Sequence, residues 1–169
     1  GTSSVELDAL FSGQIPNKIV MGFVRNDAFN GTYGLNPFNF QHFNMTSACL
    51  IVDGRQVPTQ GMHCDFKRGL YADMYRHLMD ITGQYPHDWA NALTNYHFEG
   101  GLMLLAFDLT PDESGDGVDY VSPRRHGTVK ASLRFAEALD NTISIIVLGQ
   151  FDNTVVIDRN RAVVFDYTS

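Results

Sequence analysis

The clearest pattern in the chain is a strict alternation of apolar and polar side chains between residues 128 and 135. The apolar members of this run are Val129, Ala131, Leu133 and Phe135. Because side chains alternate between the two faces of a strand, the apolar set lies on one face and the polar set on the other. The sequence therefore predicts a strand within 127–139 that has one buried face and one face in water.

Several other segments are short apolar runs that contain β-branched residues and end at polar breaks or turn signals. They predict strands at 17–24, 46–54, 101–110, 142–152, 154–159 and 162–167. The last two predict a hairpin that bends at residues 158–161. Residues 143–148 are almost continuously apolar, which is typical of a strand covered on both faces. Such a strand lies either in the middle of a sandwich or under a neighbouring subunit.

One segment has helical rather than strand-like spacing. Apolar positions recur there at intervals of three and four residues, at Leu70, Met74, Leu78 and Ile81. Gly83 follows as a terminating residue, so the pattern predicts a helix over 66–83. A short second helix is expected within 87–98, with Asp88 as its N-cap.

Many short strands with one inserted helix predict an all-β fold, an antiparallel β-sandwich of the jelly-roll type. The length of 169 residues fits one domain with a sizeable core. We expect a single β-sandwich domain at 13–169. The mixed composition of residues 1–12 predicts a flexible N-terminal segment or a cloning remnant.

Charge narrows the range of partners. Only 18% of the residues are charged, and this low fraction indicates contacts with other chains. The net charge is −7 and the twelve basic residues are scattered, which argues against nucleic-acid binding. No apolar run reaches the roughly 20 residues that cross a bilayer, so membrane insertion is not expected. Cys49 and Cys64 are interpreted as free, buried thiols, although their segments allow pairing.

An unusual segment, residues 26–44, is rich in asparagine, glycine and phenylalanine and carries one formal charge. Its sequence is NDAFNGTYGLNPFNFQHFN, and its phenylalanines are Phe29, Phe38, Phe40 and Phe43. Asparagine and glycine favour turns, so this segment predicts an irregular loop whose polar side chains satisfy the backbone. The phenylalanines are either pegs for another molecule or plugs for one end of the chain's own sandwich.

The sequence contains reactive side chains, but they lack the spacing that a metal site or a catalytic site requires. His63, Cys64 and Asp65 are adjacent but lack paired metal-ligand spacing. His87-Asp88, His97 and Glu99 lack an activated nucleophile, which leaves a metal-dependent hydrolase as a remote alternative. Residues 112–117, DESGDG, resemble half of a calcium loop but lack the glutamate at its twelfth position. No catalytic residue, metal or cofactor is therefore assigned, and the chain is expected not to be an enzyme.

Four long segments carry a resemblance to a known family. They are LFSGQIPNKIVMGFVRNDAFNGTYGLNPFNFQHFN, DGRQVPTQ, GGLMLLAFDLTPDESGDG and RFAEALDNTISIIVLGQFDNTVVIDRNRAVVFDY. They resemble the C-terminal part of an uncharacterised family found in invertebrate genomes and in viruses related to Polintons (Mavericks) and adenoviruses. A shorter likeness, around LLAFDLTPDESGDGVDYV, is to the closing strands of double jelly-roll capsid proteins.

The resemblance implies a virion structural role, as a capsid or a vertex or fibre-head module that assembles as a trimer and attaches to a host. It implies location in the virion, after synthesis in the cytoplasm or nucleus of an infected cell. The alternative is a receptor- or glycan-binding sandwich module. The candidate binding residues, for subunit contacts or for ligand, are Phe29, Asn30, Phe38, Phe40, Phe43, Tyr85, His87, Trp89 and Tyr96.

Overall fold

The computed structural model describes residues 1–83, 93–111, 123–153 and 155–165. Its strands are β1 (Ser4–Gln14), β2 (Lys18–Arg25), β3 (Met45–Val52), β4 (Arg55–His63), β5 (Leu104–Asp108), β6 (His126–Phe135), β7 (Ile143–Gln150), β8 (Val155–Ile157) and β9 (Val163–Phe165). The α-helices are α1 (Asn26–Phe29), α2 (Ala72–Ile81) and α3 (Asn95–Glu99), and a 3-10 helix spans Phe66–Arg68.

Two antiparallel sheets form the body. The larger sheet has the order β1-β6-β3-β4 and the smaller has the order β5-β2-β7, while β8 and β9 pair separately as a hairpin. Buried residues from both sheets belong to one hydrophobic cluster, so the sheets pack face to face. The predicted all-β antiparallel sandwich is therefore confirmed. The jelly roll, which requires eight strands in two sheets, stays a prediction.

The core lies between the two sheets and follows the period-two pattern. From the larger sheet it takes alternate residues of β3 and β6, and from the smaller sheet alternate residues of β2 and β5. These residues are Ala48, Leu50, Val52, Val129, Ala131, Leu133, Ile19, Met21, Phe23, Leu105 and Phe107. The alternation seen between 128 and 135 thus has its expected cause, since its apolar face points into the sandwich.

The N-terminal segment is a strand, which corrects the expectation of a flexible tail at 1–12. Ser4–Gln14 pairs with β6, from Ser4 opposite Arg134 to Gln14 opposite His126, with an irregularity between Leu7 and Phe11. Val5 and Leu7 pack against the core, whereas Ser4, Glu6 and Asp8 are exposed, so the start of β1 alternates with the period of a strand. The mixed composition of residues 1–12 does not show this alternation, and composition alone therefore misses the strand.

The connection after β3 also differs from expectation. A hairpin at Asp53-Gly54 leads into β4, an edge strand that contains Pro58, and edge strands tolerate proline. The helix expected over 66–83 is divided: Gly69 has φ 69° and ends the 3-10 helix, and α2 begins at Ala72. Within the described ranges, no helix is long and apolar enough to span a membrane.

Among the described strands, β7 lies at the edge of the smaller sheet, whereas its continuous apolar run allowed a place in the middle of the sandwich. It pairs with β2 on one side, and among the described residues no strand pairs with its other side. Ile143, Ile145 and Val147 pack against the core. On the outer face, Leu148 is 68% exposed. The mid-sandwich interpretation is therefore wrong for this strand, and cover by a neighbouring subunit stays a prediction.

Candidate association surface

The asparagine- and phenylalanine-rich segment, residues 26–44, is here called the aromatic loop. It begins directly after β2 as helix α1 and is fixed to β7 by Asn26. The Asn26 backbone N–H donates to the Thr142 carbonyl (3.0 Å), and its side-chain amide donates to Ser144 Oγ (2.9 Å). The Asn30 amide donates to Asn26 Oδ1 (2.8 Å) and Asn30 itself is exposed. These bonds tie the start of the loop to the end of the smaller sheet.

Polar side chains satisfy the backbone farther along the aromatic loop. Asn36 Oδ1 accepts a hydrogen bond from the Phe38 N–H (3.0 Å), and His42 Nδ1 accepts one from the Asn44 N–H (2.9 Å). Gly34 adopts φ 85°, a left-handed conformation that glycine takes without steric cost. The loop is therefore irregular but held at several points, which agrees with the turn chemistry of its sequence.

Three aromatic side chains of this loop project into solvent. Phe29 is 53% exposed, Phe38 is 70% exposed and Tyr33 is fully exposed. Tyr33 was missed by the sequence argument. The signal that identifies it is its position between Asn30-Gly31 and Gly34, which puts it at the tip of consecutive turns. Large apolar side chains grouped on one exposed loop are typical of an interaction surface.

The other two phenylalanines of the loop pack on the protein itself. Phe43 is half-buried against the core. Phe40 lies over the backbone of Gly22, since a Cβ added at Gly22 would be 2.7 Å from Phe40 Cδ1. Phe40 thereby covers the outer face of β2. Phe40 and Phe43 therefore pack on the chain's own sandwich, whereas Phe29 and Phe38 are outward. That Phe29 and Phe38 act as pegs for another molecule stays a prediction.

The remaining candidate residues belong to a different region. Tyr96 lies on α3 and is 80% exposed. Tyr85, His87 and Trp89 lie outside the described residues. Of the candidates that the structure describes, Tyr96 is thus separate in sequence and element from the exposed part of the aromatic loop.

A stack of rings supports the base of the aromatic loop. His42 stacks on Phe66 with centroids 4.0 Å apart, Phe66 stacks on Tyr71 at 5.1 Å, and Tyr71 stacks on the fully buried Phe98 at 5.9 Å. Burial lowers the pKa of His42, and the nearby Glu99 carboxylate partly opposes this. A neutral imidazole also suits the hydrogen bond that Nδ1 accepts.

Four of the side chains considered for metal or hydrolytic chemistry, Cys64, Asp65, His97 and Glu99, serve local structure, and His87 and Asp88 lie outside the described residues. Asp65 caps the 3-10 helix by accepting from the Arg68 N–H (3.1 Å), and the Cys64 thiol donates to the Met45 carbonyl (2.9 Å). His97 forms a capping box with Thr94, and Glu99 accepts a hydrogen bond from the Tyr71 hydroxyl (2.8 Å). In the part of the chain that is described, no three metal-ligating side chains converge. The partial calcium loop at 112–117 lies outside that part.

A cleft of about 490 Å³ lies beside β4, α2 and the end of β5. Two of its cationic side chains have internal partners. Arg76 faces Asp80 at 3.6 Å within α2, and Arg125 Nη1 donates to the Leu109 carbonyl (3.0 Å). The Arg125 bond joins the segment before β6 to the end of β5, which is a structural role.

Comparison with known proteins shows one distant relationship. The uncharacterized protein F54H12.2 of Caenorhabditis elegans is 22% identical over 168 residues, an alignment that includes 98% of this chain. The chain spans 40% of the length of that relative. No protein-family profile and no solved structure matches the chain. The expected likeness to an invertebrate protein is thus supported at this distance.

Proposed function

We propose that this chain is a non-enzymatic structural domain of a virion, either a capsid domain or a vertex or fibre-head module. It acts by associating with copies of itself and by attaching to a host. The observation that carries the proposal is the outward projection of Phe29, Tyr33 and Phe38 from one loop on a rigid sandwich. That the assembly is a virion is implied by the resemblance of the sequence to a family found in such viruses.

The aromatic loop has the properties of an association surface. Interfaces are enriched in aromatic residues and poor in charge at their centre, and this loop holds aromatic side chains with Asp27 as its single formal charge. The Asp27 carboxylate pairs with Arg25, so even this charge is balanced. Bonds from Asn26 and Asn36 hold the loop in place before any partner binds, which reduces the entropy lost on association.

The proposed assembly is a trimer located in the virion, because the capsomers and fibre heads of the viruses that this sequence resembles are trimeric. An antiparallel sandwich suits this role, since it provides a stiff body with loops at its ends. The use of His97 and Glu99 in capping and in a tyrosine hydrogen bond supports a structural rather than a hydrolytic role.

The proposal is tested by light scattering over a range of protein concentrations. We expect the wild-type chain to form trimers. The triple variant Phe29→Ser, Tyr33→Ser, Phe38→Ser is expected to raise the dissociation constant at least about tenfold, which corresponds to about 1.4 kcal/mol of association free energy. Because these side chains are exposed, the variant keeps its thermal stability.

The control for this experiment is Leu70→Ser, which removes a similarly exposed apolar side chain outside the loop. It should associate like the wild type. A wild-type chain that stays monomeric at high concentration would contradict the proposed self-assembly. A triple variant that associates normally would show that another surface is responsible.

A second candidate is a receptor- or glycan-binding module, favoured by the exposed ring of Tyr96. Aromatic rings on loops and helix ends form platforms for sugars, and Tyr85, His87 and Trp89 precede it in sequence. A glycan array tests this role. Binding that is lost in Tyr96→Ala would support it, and an array without hits would count against it.

A further inference from the structure

Strand β7 has eight residues, ISIIVLGQ, and none of them is charged. One edge of the strand pairs with β2, with Lys18 opposite Gln150 and Arg25 opposite Ile143. Among the described residues, no strand pairs with the opposite edge. Uncharged strand edges are templates for pairing with another chain, and proteins usually protect them with charges, prolines or covering elements. Strand β7 has neither charged residues nor proline.

The pairing register shows which backbone groups point to this edge. The Asn26 N–H donates to the Thr142 carbonyl, and the same register pairs Gly22 with Ile146. Even-numbered residues of β7 therefore direct their N–H and C=O groups toward β2. Odd-numbered residues, including Ile145 and Val147, direct theirs outward. Their side chains pack against the core, and no described strand pairs with their backbone groups.

The β8–β9 hairpin exposes apolar side chains to solvent. Val155, Val156, Ile157 and Val163 are all exposed. Its turn is well formed, since Asp158 Oδ1 accepts from the Asn160 and Ala162 N–H groups at 2.8 Å each. In the described residues, its backbone hydrogen bonds run only within the hairpin. An isolated two-stranded hairpin is marginally stable in water, so this one needs a surface to bind.

The segment between β7 and β8 is anchored to β1. The Phe151 ring packs edge-to-face on Phe11 of β1, with centroids 5.6 Å apart. The Gln14 side-chain amide donates to the Asp152 carbonyl (3.3 Å). Both contacts fasten the segment after β7 to β1 in the other sheet. Among the described residues, the hairpin does not pair with the β7 edge of its own chain.

We propose that the β8–β9 hairpin of one copy adds to the free edge of β7 in a second copy. The described residues include both halves of this contact: an apolar β7 edge that pairs with no other described strand, and an apolar hairpin whose strands pair only with each other. Neither pairing strand has a charge to desolvate, and the charged turn residues Asp158, Arg159 and Arg161 lie beyond the strands. The contact rests on the proposed self-association and specifies a second surface for it, separate from the aromatic loop.

Amide hydrogen exchange of β7, followed by NMR, tests the proposal directly. At concentrations where light scattering shows monomers, the Ile146 and Leu148 amides should be protected because they face β2, and the Ile145 and Val147 amides should exchange rapidly. When the concentration is raised into the associated range, the Ile145 and Val147 amides should gain at least about tenfold protection. The even-numbered amides serve as an internal control.

The matched variant is Val156→Lys, Ile157→Lys, which places charges on side chains that are exposed in the monomer. We expect it to abolish the concentration-dependent protection of Ile145 and Val147, while the Leu70→Lys control retains it. Leu148→Lys, on the receiving strand, should act like the hairpin variant.

The outcomes separate this contact from the proposed function. Association without protection of Ile145 and Val147 would overturn strand addition and leave self-assembly through the aromatic loop in place. Protection of the Ile145 and Val147 amides that does not depend on concentration would show that a segment of the same chain pairs with the β7 edge. That result would also overturn strand addition between copies. A chain that stays monomeric would contradict both proposals.

Discussion

At the scale of single residues, Cys64 shows how burial controls reactivity. Its thiol donates to the Met45 carbonyl, and burial, with a smaller effect from the Asp65 carboxylate, raises its pKa from 9.0 to about 12. The thiolate is the nucleophilic form of cysteine. Cys64 is therefore an inert core residue, although the sequence places it between a histidine and an aspartate.

We predict that Cys64 resists alkylation in the folded protein. Its folded pKa lies above the unfolded value, so the protonated thiol stabilises the fold below pH 9 and this contribution is lost as the pH rises from 9 toward 12. Iodoacetamide at pH 8, followed by mass spectrometry, should leave Cys64 unmodified in buffer and modify it in concentrated urea. Equal rates in the two conditions would show that the thiol is accessible.

At the scale of elements, helix α3 offers a matched pair of aromatic residues. Phe98 is fully buried and contacts Tyr71 and Tyr75, whereas Tyr96 on the same helix is exposed. We predict that Phe98→Ala lowers the free energy of unfolding by about 3–5 kcal/mol. Tyr96→Ala should change it by less than about 0.5 kcal/mol. Urea unfolding monitored by circular dichroism provides both values, and similar effects would contradict the packing described here.

Strands with one apolar face and one polar face inside a sheet were predictable from the sequence, and strands at the edges of the sheet were not. The alternation of β6 marks its buried face because Val129, Ala131, Leu133 and Phe135 are buried between the two sheets. By contrast, β1 and β4 lie at the edges of the larger sheet, where polar residues and Pro58 are tolerated. The division of the predicted helix at Gly69 depends on the Asp65 cap, which is a local signal that spacing does not include.

For the association surface, the sequence located the loop but did not show which of its side chains are exposed. Composition identified the aromatic loop, but it does not distinguish Phe38, which is exposed, from Phe40, which covers Gly22. That difference arises because a glycine in β2 leaves room for a ring from a distant loop. For β7, the apolar run predicted burial of both faces, whereas the structure covers its inner face and leaves Leu148 outward.

At the scale of the whole molecule, two apolar surfaces, the aromatic loop and the β8–β9 hairpin, follow the strands of the smaller sheet in sequence. The aromatic loop is bonded to one end of β7 through Asn26, and the hairpin follows the other end of the same strand. If both surfaces bind copies, each copy has contacts at both ends of β7. Disruption of either surface alone is then expected to weaken the assembly, and disruption of both should leave monomers in light scattering.

The hairpin turn also carries two arginines, Arg159 and Arg161, and both are exposed. Trypsin cuts after arginine, and exposed tips are preferred sites of such cutting. A monomeric chain should therefore be cut before β9 early in a limited digestion, whereas chains associated through the hairpin should resist the protease. The rate of cleavage before β9 would then report how far this association has proceeded.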